Sequence, residues 1–271
     1  MGWIKKMGIQ LKVTAAASVV SLAAGLLIGY FVSSSANAVD TVKTANEVER
    51  KQNVSEDNFF MEEKTESRMH IIENFNLIKQ MPELPTGCEV TSLTMVLNHL
   101  GFDADKLDIA RDYLEKQDLD TDSEDRLLGP DYRYVFAGNP EDDESFGCFA
   151  PCLVSAAKKY LEDQESDMYP VDLTGKEFDE LFEFIDHDVP VIMWSTIGLA
   201  APEYNLKWIT LDNEEVTWPT NEHCTVLTGY SKDENTVRIH DPINGVIQLN
   251  LEAVRERYDQ LGKNAAAIIK K

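Results

Sequence analysis

The order in which hydrophobic patterns follow one another along the chain constrains the fold more than any other feature. Apolar residues repeat at helical spacing over residues 92–100, where Leu93, Val96, Leu97 and Leu100 share one face. The same periodicity predicts further helices over residues 103–114, 151–161 and 177–185. Short β-rich runs separated by turn residues then cover residues 189–194, 224–230, 236–239 and 245–249. Helices followed by antiparallel strands indicate an α+β fold.

Composition supports an ordered domain and restricts its partners. Hydrophobic residues make up 43% of the 271 residues, which is enough apolar surface for a substantial core. The net charge is −23, and the first 39 residues carry only three lysines and no acid, so the remainder carries −26. Such an acidic domain repels phosphate backbones and anionic lipids. We therefore expect a neutral or cationic substrate and no nucleic acid. We also expect no cofactor and a monomer.

The N-terminal segment predicts export. Residues 13–32 are almost wholly small and apolar, and Lys5, Lys6 and Lys12 precede them. The length suits a membrane anchor, whereas Ala36-Asn37-Ala38 suits a signal-peptidase site. Either way, the lysines hold the N-terminus in the cytoplasm and the rest is expected outside it, secreted or anchored to the outer face of the membrane. We predict a signal peptide or anchor over residues 1–38, a charged stalk over 39–75 and the folded domain over 76–271.

Cys88 is the candidate nucleophile. A loop containing Pro82, Pro85 and Gly87 leads to it, and the predicted helix over residues 92–100 follows. The positive end of a helix stabilises a thiolate, so this position predicts a lowered thiol pKa. A buried structural cysteine is the alternative interpretation.

A nucleophilic thiol needs a base, and His223 is the candidate because it begins a predicted strand after a polar loop. The other histidines are His70, His99, His187 and His240. Asp241 follows a neighbouring strand, where a carboxylate can orient the imidazole of His223. Side chains alternate along a strand, so only one of His240 and Asp241 can face the site, and we favour Asp241. Gln80, eight residues before Cys88, is a candidate oxyanion donor.

These residues lie in segments that resemble the C39-like cysteine peptidases, a papain-like group, and in particular their stand-alone exported bacterial branch. The nucleophile motif is the stretch over residues 80–89, and the later matching segments cover residues 136–140, 146–151, 222–230, 241–242 and 258–268. The resemblance implies a papain-like α+β fold for the domain over residues 76–271. It also implies a peptide or protein substrate, with Cys88 as nucleophile, His223 as base, Asp241 as orienting acid and Gln80 as oxyanion donor.

Three alternatives remain open. The same triad could carry acyl or peptidyl transfer, or isopeptidase chemistry, and a non-catalytic peptide-binding module could keep the fold. A zinc site could use Cys148, Cys152, His223 and Cys224, since thiolates and imidazoles are zinc ligands. Adjacent strand residues point to opposite faces, which argues against His223 and Cys224 binding one ion. Pairing of Cys148 with Cys152 in a disulfide is left open.

Overall fold

The computed structural model describes residues 68–270, which belong to one compact unit. The predicted signal or anchor segment and most of the predicted stalk lie outside these described residues. Within the described range, none of the helices has the length and hydrophobicity needed to span a bilayer.

The helices are unequal in length. They are α1 Cys88–His99, α2 Lys106–Asp108, α3 Ala150–Asp163, α4 Leu181–Asp186 and α5 Leu251–Gln260. Where we expected one helix over residues 103–114, α2 passes into a single π-helical turn, Ile109–Tyr113. Asp105 caps α2 through its carboxylate, which accepts from the amide of Leu107 at 2.8 Å. Gly101, at φ +94°, follows the last turn of α1, where glycine adopts the left-handed conformation without a steric penalty.

A seven-stranded antiparallel sheet forms the centre of the domain. Its strands are β1 Met69–Ile71, β6 Met168–Asp172, β7 Val191–Thr196, β10 Glu222–Ser231, β11 Thr236–Asp241, β12 Gly245–Asn250 and β13 Ala265–Lys270. Their order is β12-β11-β10-β7-β13-β6, and β1 also pairs with β10. Two further strands pair in parallel, β2 Lys116–Gln117 and β5 Phe136–Ala137. Four more make a small sheet, β3 Asp120–Thr121, β4 Leu127–Leu128, β8 Leu206–Ile209 and β9 Glu215–Trp218.

Both faces of the central sheet are covered, because side chains alternate along each strand. Ile192 and Trp194 of β7 lie in the apolar cluster that includes the buried residues of α1 and α3. Val191 and Met193 of the same strand lie in the other cluster, with residues of α4 and α5. This arrangement confirms the predicted α+β class with an antiparallel sheet.

The N-terminal boundary differs from the predicted one. Strand β1 lies within the predicted stalk, yet it pairs with β10 from Met69 opposite Ser231 to Ile71 opposite Gly229. His70 of this strand contacts Asp188 of the folded domain, with Nε2 at 2.8 Å from Oδ1. Three residues are too short to show a period-2 pattern, so the sequence did not indicate this strand.

Candidate active site

A tight loop delivers Cys88 to the first position of α1. The amide of Leu84 donates to the carbonyl of Gln80 at 3.0 Å, and the amide of Gly87 donates to the carbonyl of Leu84 at 3.1 Å. A Cβ at Gly87 would lie 2.8 Å from Cβ of Leu84 and 3.1 Å from Cβ of Pro140. Only glycine fits at position 87, because Leu84 and Pro140 leave no room for a side chain. The loop thereby fixes the position of the thiol of Cys88.

The thiol of Cys88 is buried between α1 and β10. It donates to Oε2 of Glu89 at 3.3 Å, and its sulfur accepts from the backbone amide of Cys224 at 3.4 Å. Burial raises the pKa of the Cys88 thiol well above its ordinary value, and the nearby carboxyl groups of Glu89 and Glu222 raise it further. We expected the helix N-terminus to lower the pKa of this thiol, but burial and the two carboxyl groups outweigh that effect in this structure.

His223 and Asp241 are in direct contact. Nε2 of His223 lies 2.9 Å from Oδ1 of Asp241, and both side chains are 4% exposed. When Nε2 carries the proton that bonds the carboxylate, Nδ1 has a free lone pair and can act as a base. The structure therefore brings the predicted base and the predicted orienting acid together.

The turn after β11 holds Asp241 in place. Its Oδ1 accepts from the amides of Ile243 at 2.7 Å and Asn244 at 3.0 Å, and its Oδ2 accepts from Nδ2 of Asn244 at 2.8 Å. Burial alone would raise the pKa of Asp241, but the hydrogen bond and charge of His223, together with the bonds from Asn244, hold that pKa well below its usual range. Asp241 is therefore a carboxylate at neutral pH.

His240 occupies a different environment. Its Nδ1 lies 2.9 Å from Oγ1 of Thr228, and its Nε2 lies 3.1 Å from the carbonyl of Phe75. Burial lowers the pKa of His240 to about 4, so the ring is neutral at physiological pH. Both ring nitrogens are used in the core, which separates this histidine from His223.

Gln80 braces the loop before Cys88. Its side chain is buried, and its Nε2 donates to the carbonyl of Pro85 at 2.8 Å, while Oε1 has no hydrogen-bond partner within the described chain. Its backbone amide donates to the carbonyl of Pro242 at 3.1 Å, directly after Asp241. Gln80 thus lies between the loop and the turn that carries Asp241.

The structure does not join the thiol to the imidazole. Across the residues that it describes, no hydrogen bond links Cys88 to His223. Cys224 lies in the same apolar cluster as Cys88, and alternation along β10 turns His223 toward the other face. There His223 and Asp241 line a cavity of about 120 Å³ with Ser195, Thr196, Gly198, Leu199 and six further residues, and Cys88 is not among the lining residues. The thiol lies one strand position away from the candidate base.

Two buried acids beside the thiol are absent from the sequence prediction. Glu89 is fully buried, and its Oε1 accepts from the amide of Cys148 at 2.8 Å. Burial raises the pKa of Glu89 to about 7 despite that bond. Glu222 is 8% exposed, and burial followed by the charge of Glu89 raises its pKa well above the ordinary value. The sequence places Glu89 directly after Cys88 and Glu222 directly before His223. However, acids are common in the first turn of a helix and in polar loops, so neither position indicated a buried carboxyl group.

The alternative zinc site is not assembled. All four cysteines are free and buried. In the part of the chain with described positions, the side chains close enough to share a metal ion are Cys88, Glu89 and Glu222, whose ligand atoms lie within 4.8 Å of one another. The alternative set of Cys148, Cys152, His223 and Cys224 does not form a joint site, because β10 turns His223 and Cys224 to opposite faces, as strand alternation led us to expect.

Comparisons with known proteins agree with this architecture. The protein YvpB of Bacillus subtilis (strain 168), itself uncharacterized, is 30% identical over 162 residues, which are 59% of this chain and 60% of that protein. The chain thus matches less than two thirds of this relative. The crystal structure of a candidate C39-like peptidase from Bacillus anthracis is 30% identical, with a TM-score of 0.66, and the match covers 76% of this chain and 99% of that one. A sequence model of the Peptidase_C39 like family matches residues 72–266, and the chain therefore belongs to that family.

Proposed function

We propose that the protein is an exported thiol hydrolase that cleaves peptide or amide bonds through Cys88, His223 and Asp241. The observation that carries the proposal is the contact of 2.9 Å between Nε2 of His223 and Oδ1 of Asp241, which leaves Nδ1 available as a base. The thiol of Cys88 contacts the amide of the next residue on the strand, Cys224. Membership of the C39-like family supports the same assignment.

In the proposed mechanism, the thiol of Cys88 leaves Glu89 and bonds to Nδ1 of His223 when substrate binds. Catalytic hydrogen bonds are often long or poorly aligned before substrate is bound, and they tighten only in the complex. Nδ1 takes the thiol proton, the sulfur attacks the substrate carbonyl, and the resulting imidazolium gives its proton to the leaving amine. Water then attacks the thioester with His223 as base, the carbon–sulfur bond breaks, and His223 returns the proton to the sulfur of Cys88 as the acid product leaves.

The tetrahedral intermediate needs hydrogen-bond donors for its oxyanion. The backbone amide of Cys88 is one candidate, because the first amides of a helix have no intrahelical partner. The side-chain amide of Gln80 is the second, through the Nε2 that now donates to the carbonyl of Pro85. In this role Nε2 would redirect its bond during turnover.

Peptide cleavage by the purified full chain tests the proposal. We expect a library of neutral and basic peptides to be cut by the wild type and not by Cys88→Ala, with the products identified by mass spectrometry. Cys152→Ala is the matched control, since it removes another buried thiol, from α3. Equal cleavage by wild type and Cys88→Ala would refute the assignment.

Transfer chemistry is the second candidate, because the same thioester can react with an amine instead of water. Adding an amine such as glycinamide during turnover distinguishes the two. Hydrolysis predicts mainly acid product at millimolar amine, whereas a transferase gives mainly the amide.

A non-catalytic peptide-binding module is favoured by the absence of a bond between Cys88 and His223, and it predicts peptide binding that is equal in wild type and Cys88→Ala, without turnover.

We propose that this reaction takes place outside the cytoplasm. The basis is the lysine-flanked apolar segment of the sequence, which lies outside the described residues. Digestion of intact cells with an added protease should degrade the domain while a cytoplasmic marker survives. Protection of the domain until the cells are lysed would contradict export.

A further inference from the structure

A buried acidic pair next to the candidate nucleophile has no role in the proposed mechanism. One ligand atom from each of Cys88, Glu89 and Glu222 lies within 4.8 Å of the other two. Oε2 of Glu222 is buried and has no hydrogen-bond partner among the described residues. An unpartnered buried carboxylate oxygen is costly, so this group calls for an explanation.

The pair has no basic partner among residues 68–270, where neither Glu89 nor Glu222 forms an ion pair with a lysine, arginine or histidine. The contacts of Glu89 are with the thiol of Cys88 and the amide of Cys148. Two carboxyl groups buried this close cannot both carry an uncompensated charge. Either they share a proton or a cation lies between them.

The local backbone leaves space for both carboxylates. A Cβ at Gly147 would collide with Oε1 of Glu89 and would lie 3.0 Å from Oε1 of Glu222. Glycine at this position therefore keeps open the volume that the two carboxylates share. The next residue, Cys148, donates its amide to Oε1 of Glu89 and fixes that carboxylate.

The donor set selects the kind of cation. Calcium and magnesium take oxygen ligands and discriminate against sulfur. Zinc accepts thiolate and carboxylate together, and three protein ligands are typical of a zinc site with one open position. We propose that Cys88, Glu89 and Glu222 bind a single zinc ion. Binding releases the thiol proton and any carboxyl proton to solvent, and no oxidation or reduction is involved.

The functional consequence rests on the proposed function. A sulfur bound to zinc has its lone pair engaged by the metal and cannot attack a carbonyl, so zinc would be a reversible inhibitor of the peptidase. Metal binding itself does not depend on peptidase activity and can be measured without a substrate.

The experiment uses the purified full chain, freed of metal with a chelator and titrated with Zn²⁺ or Co²⁺. We expect one equivalent of metal to bind and the Co²⁺ form to show a thiolate-to-cobalt charge-transfer band that is absent from Cys88→Ala. Glu222→Gln should raise the dissociation constant for Zn²⁺ by at least about tenfold. Even the loss of a group that only hydrogen-bonds a metal ligand often lowers metal affinity by about 10–100-fold. Glu144→Gln removes the same charge from an exposed loop. This variant should bind Zn²⁺ with a dissociation constant within about twofold of the wild-type value, which is the scale of surface charge effects.

Two outcomes would overturn the proposal. In the first, folded wild type shows no charge-transfer band, which means that the acids share a proton instead. In the second, the band persists in Glu222→Gln at an unchanged dissociation constant but is lost in His223→Ala, which means that the thiol and imidazole bind the metal. Circular dichroism of each variant establishes that it is folded. Peptide cleavage without metal then tests the proposed function separately, because a failed metal titration leaves that assay unaffected.

Discussion

Alternation along two adjacent strands divides the roles of neighbouring residues. On β10, His223 meets Asp241 while Cys224 packs with Cys88. On β11, Asp241 meets His223 while His240 contacts Thr228 and Phe75 in the core. One residue of each pair is thus available for chemistry and its neighbour for packing.

The first prediction concerns the orienting acid. Asp241→Asn should lower kcat by about 100–10,000-fold, because an amide can hold the imidazole in the wrong tautomer. His240→Ala should lower the thermal midpoint, since it removes two core hydrogen bonds, but should change kcat less than Asp241→Asn does. Steady-state kinetics and thermal melts of both variants provide the comparison. If His240→Ala abolishes turnover in a folded protein while Asp241→Asn remains active, the assignment is wrong.

The second prediction concerns Gln80. If its amide redirects to the oxyanion, Gln80→Ala should lower kcat by about 10–1,000-fold, the usual cost of one oxyanion donor. Alkylation of Cys88 by iodoacetamide should persist, because that reaction has no tetrahedral oxyanion. A purely bracing role predicts instead that kcat, alkylation and the thermal midpoint change together.

At the residue scale, period-2 alternation predicted that only one of His240 and Asp241 faces the candidate base, and the structure places Asp241 against His223. The sequence was insufficient for Glu89 and Glu222. A glutamate in a first helical turn or a polar loop is normally solvated, and its burial depends on Gly147, which is distant in sequence. The raised thiol pKa was missed for the same reason, since burial and these acids cause it.

At the scale of elements, the junction between loop and helix controls the position of the thiol. Gly87 has an ordinary φ of −106°, so glycine is required there by space and not by backbone conformation. The loop is bonded to its neighbour at this point, because the amide of Thr86 donates to the carbonyl of Pro140 at 3.3 Å. A shift of the loop would therefore move Cys88 directly.

Gly87→Ala tests this junction. The added methyl group should destabilise the fold by about 1–3 kcal/mol, as overpacking usually does, and should lower kcat by at least about tenfold through displacement of the thiol. Gly175→Ala is the matched control, because Gly175 has φ +92° and open space around it. That variant should lose a similar amount of stability with unchanged kcat. A Gly87→Ala enzyme with normal kcat would show that the junction tolerates movement.

Helices with a strong hydrophobic periodicity could be predicted from the sequence. Strands that form only because they pair with neighbouring strands could not. The strong periodicity of α1 and α3 indicated both helices to within a few residues. In contrast, β6 contains Pro170, and β13 begins with three alanines, neither of which favours a strand. Proline is accepted because β6 is an edge strand, and the alanines lie in the buried interior of the sheet.

For the whole molecule, the buried acids connect stability to pH. The pKa of Glu89 is about 7 in the folded protein, against an ordinary value near 4.3 for an unfolded chain. Because the folded pKa is raised, the folded state binds the proton more tightly. Its contribution to stability is complete below about pH 4.3 and is lost as the pH rises through about 7.

We therefore expect the stability difference between wild type and Glu89→Gln to vary with pH. In the presence of a chelator, the wild type should lose up to about 3 kcal/mol relative to the variant between pH 4.5 and pH 8, since each pKa unit is worth about 1.4 kcal/mol. Urea unfolding of both proteins at several pH values measures this difference. A difference that is constant with pH would mean that Glu89 has an ordinary pKa.

The most direct test of the central claim is the mass of the covalent intermediate. The full chain is mixed with an activated peptide ester, quenched in acid, and examined by intact-mass and peptide-mapping mass spectrometry. We predict transient acylation at Cys88 that is much slower in His223→Ala and absent from Cys88→Ala. Acylation at another cysteine, or acylation of Cys88 at the same rate without His223, would contradict the account.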